Sequence, residues 1–96
     1  VFVWDETKRI SNLKKHGLDF RDAHLVYENP NKVTYDASRF DEYRLMDVAL
    51  VVIRGRLLTL VYMEIGEDVR LISFRPASRE EHKAYEKDRD GYDFSE

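Results

Sequence analysis

Ninety-six residues that are 43% hydrophobic and 12% aromatic suffice for one domain, residues 1–96, with its own core and no metal or disulfide to hold it. The absence of cysteine excludes disulfides and thiolate metal sites, and is compatible with a reducing cytoplasm. A net charge of −3 argues against nonspecific coating of nucleic acid, which needs a strongly basic face, but leaves room for a confined phosphate-binding cleft.

The negative excess is local. Lys87 and Arg89 face Glu86, Asp88, Asp90, Asp93 and Glu96 at the end of the chain, an acidic tail over about 89–96 expected to fray unless a partner orders it. Cations gather near the start (Lys8, Arg9, Lys14, Lys15) and again from Arg54 to Lys83. The longest apolar run, Val48 to Ile53, is too short to cross a bilayer. No basic-then-apolar leader opens the chain, so a cytoplasmic protein with no membrane partner is the expectation.

In chain order, Val1 to Trp4 predicts a short strand. Asp5 caps a helix that runs to about Lys15, with Ile10 and Leu13 as its apolar contacts, and Gly17 stops it. Asp19 caps a second helix in which Phe20, Ala23, His24 and Tyr27 share a stripe, ended by Asn29-Pro30. Asn31 to Tyr35 predicts a strand, and Asp36 to Asp41 a polar loop. Arg44–Ile53, Leu57–Glu64 and Val69–Arg75 predict three strands joined by glycine-bearing turns, hence an antiparallel meander. A helix from Arg79 to Asp88 closes the chain. The expected class is α+β, one antiparallel sheet with one or two N-terminal strands added to the meander, two N-terminal helices and one C-terminal helix.

The stretch from Val69 to Glu81 carries the most chemistry. Ser78 and Glu81 stand at the spacing of a reciprocal helix cap. Arg70, Arg75 and Arg79 sit on the strand and in the first helical turn, and guanidinium forks suit phosphate. The alternative is that these arginines pair with Glu64, Glu80 or Glu81. Alternation puts Ser73 and Arg75 on one face and Arg70 on the other, unless a bulge intervenes.

Trp4-Asp5, Lys8, Asn12, Lys15-His16-Gly17, Phe20 and Ala23 form one string. Glu42, Arg44, Gly55-Arg56-Leu57-Leu58 and Leu60-Val61-Tyr62 continue it. Arg70, Ile72-Ser73, Arg75, Ala77, Arg79-Glu80-Glu81 and Tyr85 close it. In order and spacing this resembles the BrnT family of bacterial type II toxins. Asn31–Asp41, Pro76 and the acidic tail depart from the pattern. The resemblance implies a RelE-like fold and an endoribonuclease that inhibits translation. It also implies a BrnA-like antitoxin, whose ribbon-helix-helix part binds operator DNA, so that DNA is met only through the antitoxin in a hetero-oligomer.

RNA cleavage by its own 2′-hydroxyl needs a base, an acid for the departing 5′-oxygen and cations for the phosphorane, with no metal or other cofactor required. Arg75, Arg79, Lys15, His16 and Glu64 are the candidate catalytic residues; Arg70, Ser73, Arg44 and Tyr85 are the candidate RNA contacts. Each has a plainer alternative. His16 can cap its helix, Lys15 can be an ordinary surface lysine, and Glu64 or Glu42 can simply pair with an arginine. Tyr62, Tyr85 and Trp4 can be core, His24 packing and His82 solvated. Two other functions fit the chain: a catalytically inactive docking module in a DNA-binding antitoxin complex, and a small RNA-binding protein, which the net charge disfavours.

Overall fold

Three runs rich in β-branched and aliphatic residues pair in sequence order because Gly55 and Gly66 let the chain reverse between them. Both glycines take positive φ, 64° and 62°, where a side chain would be strained. The computed structural model describes residues 1–93. Its strands are β1 (Phe2–Val3), β2 (Val33–Asp36), β3 (Leu45–Val51), β4 (Arg56–Ile65) and β5 (Asp68–Pro76). The helices are α1 (Glu6–His16), α2 (His24–Tyr27) and α3 (Arg79–Asp93), with 3₁₀ turns at Phe20–Asp22 and Val52–Arg54. None of these helices is long and apolar enough to cross a membrane.

The sheet order is β1-β5-β4-β3-β2, so the expected meander is present at its centre, with Val48 opposite Thr59 and Leu60 opposite Phe74. The α+β class stands, but the sheet is mixed rather than antiparallel. Phe2 and Val3 run parallel to Val69 and Arg70 on the outer edge of β5. The direction follows from what comes next: α1 continues along the same edge in the same sense, reaching Phe74 through Asn12. Strand and helix together close an edge that would otherwise be open.

One face of the sheet packs Leu58, Leu60, Leu71 and Phe74 against Leu18, Phe20, Ala23 and Val26. Asp47 is fully buried on this side, held by Lys32 Nζ at 2.8 Å, Thr34 Oγ1 at 2.7 Å and the Tyr62 hydroxyl at 3.0 Å. A buried carboxylate is tolerable when a cation and hydroxyl donors meet it in this way. On the other face Val48 and Leu57 pack against Tyr85 of α3, with Met46 and Ala77 beside them.

Two helical expectations are corrected. Ile10 and Leu13 are exposed (46% and 39%), and α1 turns Arg9, Asn12 and His16 inward instead. Polar partners decide this: Arg9 pairs with Asp19 at 3.0 Å, and Asn12 bonds to backbone. The second helix is a 3₁₀ turn followed by one α turn. Winding at three residues per turn lines up Phe20, Ala23 and Val26, leaving His24 exposed rather than packed. The C-terminal helix extends to Asp93, so the expected frayed tail is helical over its first part; residues 94–96 lie outside the described residues.

Candidate active site

Strand β5 sets the arrangement. Val61 pairs with Ser73 but Tyr62 pairs with Leu71, so Ile72 is an extra residue, a β-bulge. The bulge shifts the alternation: Leu71 and Phe74 both enter the first core, while Arg70, opposite Met63, returns to the face that carries Ser73 and Arg75. All three therefore share one sheet face, which plain alternation from the sequence forbids. Arg44, one alternation before Met46, shares a shallow depression with Met63 at the far end of that face. Arg70 and Arg75 remain separated by roughly 13 Å of strand, so they form the two ends of a track rather than one clamp.

At the upper end, Arg75 meets Glu81 fork to fork, Nη1 and Nη2 each donating at 2.8 Å. This is the ion-pair alternative for Arg75. Glu81 also accepts from the Thr59 hydroxyl at 2.8 Å and from the Ser78 backbone N–H at 2.9 Å, while Ser78 Oγ accepts from the Glu81 N–H at 3.2 Å. The capping box read from the sequence is thus formed and doubles as the seat of an arginine. Burial alone would raise the Glu81 pKa, but Arg75, Ser78 and Thr59 outweigh it and bring the carboxyl to about 2. Glu81 takes the Nη1 and Nη2 end of the guanidinium, Nη1 also donates to the Pro76 carbonyl at 3.4 Å, and Nε has no hydrogen-bond partner among the described residues.

α1 delivers the second component. Gly17, at φ 71°, stops the helix and returns its N–H to the Leu13 carbonyl at 2.8 Å, so His16 is the last helical residue. His16 is half-buried, and its pKa lies below the ordinary 6.5, first through desolvation and then through the positive charges of Lys15 and Arg75. The Asn12 bonds to the Phe74 backbone bring the end of α1 to the end of β5. Lys15 is exposed beside it. Arg79, in the first turn of α3, is exposed and has no hydrogen bond or ion pair among the described residues.

Not every candidate arrives here. Glu64 has the opposite alternation to Thr59, the partner of Arg75, and lies five positions along β4, roughly 17 Å away. Tyr85 is 8% exposed; its ring packs in the second core and its hydroxyl donates to Asn31 at 3.1 Å, so it offers no face for a base. Arg44 pairs with Glu42. Three residues that shape the site were not singled out as candidates: Asn12, Thr59 and Glu81. Only Glu81 had a local signal, its spacing from Ser78. Asn12 and Thr59 act through partners distant in sequence.

No curated protein matches the chain. The family model described as the ribonuclease toxin BrnT of type II toxin–antitoxin systems matches residues 4–81, from Trp4 through the capping glutamate, and the chain belongs to that family.

Proposed function

We propose that the protein is an endoribonuclease that cleaves RNA by attack of a 2′-hydroxyl on its own phosphodiester, at the junction of α1, β5 and α3. The 2′-oxygen forms the new bond to phosphorus and the bond to the 5′-oxygen breaks, leaving a cyclic phosphate and a 5′-hydroxyl. The observation that carries this reading is that Asn12, one helical turn before His16, bonds to Phe74, the chain neighbour of Arg75, so the end of α1 is held to the end of β5; desolvation and then the Lys15 and Arg75 charges lower the His16 pKa there. His16 takes the 2′-hydroxyl proton. Arg75 and Arg79 stabilise the charge that grows on the phosphorane oxygens. Lys15 stands as the proton donor to the departing 5′-oxygen. Arg70, Ser73 and Arg44 support the flanking nucleotides along the sheet face that α3 packs on, and no step in this scheme calls on a metal.

In the cell this activity would arrest translation in the cytoplasm. A BrnA-like antitoxin would hold it in check, with a ribbon-helix-helix part through which the complex meets operator DNA. The test is incubation of the purified protein with RNA, with and without chelator, for wild type and His16→Ala, alongside induced expression with and without the neighbouring gene. Cleavage in chelator by wild type and its loss in the variant are expected. Cleavage that needs added metal would retain the nuclease and reject the metal-free scheme.

The Arg75–Glu81 fork favours one second reading, a catalytically inactive docking module in which Arg75 is purely structural. That reading expects a folded wild-type protein that binds its partner and leaves RNA intact.

A further inference from the structure

We propose that Asn12 is the positioning residue that joins the two halves of this site, replacing a strand partner on the edge of β5 and so fixing His16 against Arg75. The activity arm of its test rests on the endoribonuclease reading above; the titration arm does not.

β1 ends at Val3, opposite Arg70, and from there β5 has no strand on its outer edge. Phe74 lies on that stretch, fully buried, with its backbone N–H and C=O turned outward. Buried peptide groups left without partners are costly, and water has no access here. The Asn12 carboxamide supplies what is missing: Oδ1 accepts from the Phe74 N–H at 3.1 Å and Nδ2 donates to the Phe74 carbonyl at 2.7 Å. Its second N–H goes to the Leu18 carbonyl at 3.0 Å, tying down the turn just beyond the helix stop. Donor and acceptor side by side make a carboxamide the mimic of a peptide group. Aspartate lacks the donor, serine lacks the reach and leucine has neither.

Position gives this contact its meaning. His16 follows Asn12 by one helical turn on the same inward line, and Arg75 follows Phe74 directly. One short-range clamp is therefore flanked by both members of the candidate pair. It also accounts for α1 packing a polar face inward while leaving Ile10 and Leu13 in solvent. Without the clamp the helix end can slide along β5, and a shift on the scale of 1 Å can cost about a hundredfold in rate.

The experiment follows the His16 titration by NMR in wild type, Asn12→Ser and Asn12→Ala, each with and without Arg75→Gln, together with RNA cleavage kinetics. In the wild-type background, removing the Arg75 charge should raise the His16 pKa. In either Asn12 background His16 should begin nearer its ordinary value and respond less to Arg75→Gln. Cleavage by Asn12→Ser should lose on the order of a hundredfold in kcat with KM little changed. Folded Asn12 variants whose His16 titrates and responds to Arg75 as in wild type would overturn the proposal. Loss of the fold in both variants would overturn it too, assigning Asn12 to global stability alone. If wild type leaves RNA uncut, the nuclease reading fails while the titration still decides the role of Asn12.

Discussion

The Arg75 guanidinium and the Glu81 carboxylate meet with both N–O distances at 2.8 Å, and Thr59 and Ser78 close around the same carboxylate. One glutamate thereby starts α3, orients a strand-end arginine and joins the sheet to the helix. In the proposed reaction, a charge held this firmly would need little reorganisation as the phosphorane forms. The same arrangement makes the site acid-sensitive.

Glu81 lies well below its ordinary 4.5 in the folded protein, at about 2. A depressed carboxyl contributes stability that is fully present above the unfolded value and fades as pH falls from there towards 2. The contribution is on the order of 3 to 3.5 kcal/mol, the free-energy equivalent of that pKa difference. Urea unfolding measured from pH 7 to pH 3 should show stability declining in wild type. Glu81→Gln should begin less stable at pH 7 and show a shallower decline; equal slopes would remove Glu81 from the acid response.

Arg75→Ala and Arg79→Ala should separate structure from charge stabilisation. Each should lower RNA cleavage about a hundredfold to a thousandfold, the loss seen when one transition-state donor is removed. Arg75→Ala should also lower Tm, because Glu81 is left half-buried without its cation. Arg79→Ala is a surface change and should stay within about 0.5 kcal/mol of wild-type stability. Lysine at either position should recover only part of the rate, since a point charge lacks the planar fork. Glu67→Ala, in the β4–β5 turn, serves as the control. Full cleavage by both alanine variants would exclude these arginines from the reaction.

With His16 as proton acceptor, the rate should rise with pH through an inflection below 6.5, because desolvation first and then Lys15 and Arg75 disfavour the imidazolium. Folding stability has the same sign: it is present above 6.5 and declines as pH falls below it, where the unfolded chain takes up the proton first. Arg75→Gln should move the inflection upward. A pH–rate profile with the same acid limb in His16→Ala would assign that limb to another group.

The inward polar face of α1 makes an unusual stability pattern. Ile10→Ala and Leu13→Ala should each cost about 0.5 kcal/mol or less, as exposed positions do. Phe20→Ala, which empties a fully buried site, should cost about 3–5 kcal/mol. Thermal melts of the three variants decide it, and a large cost at Ile10 would contradict the orientation of the helix.

Along the sheet face, Arg70→Ala should weaken RNA binding and reduce the slope of log affinity against log salt by about 0.7, one phosphate contact to a single strand. Tyr85→Ala should instead lower Tm and leave the slope unchanged. Equal slopes for wild type and Arg70→Ala would place RNA elsewhere.

Local rules carried a large part of the structure. Gly55 and Gly66 mark the turns of the meander, Asp5 and Gly17 bound α1, and Ser78 with Glu81 forms the cap that starts α3. Each of these is decided within a few residues by backbone sterics or a short hydrogen bond, so composition and spacing suffice to see it. The string from Trp4 to Glu81 likewise marks the family. Only the tertiary structure decided which way α1 faces, because apolar spacing favoured Ile10 and Leu13 while the bonds from Asn12 to Phe74 and Leu18 reward the polar side. It alone decided that β1 runs parallel to β5, since a two-residue strand has too little pattern to choose a direction. The bulge at Ile72 turned Arg70 onto the face of Arg75, a choice made by the packing of both Leu71 and Phe74 into one core. Local preferences are weak beside the burial of large side chains and the pairing of buried polar groups, and those partners lie far apart along the chain.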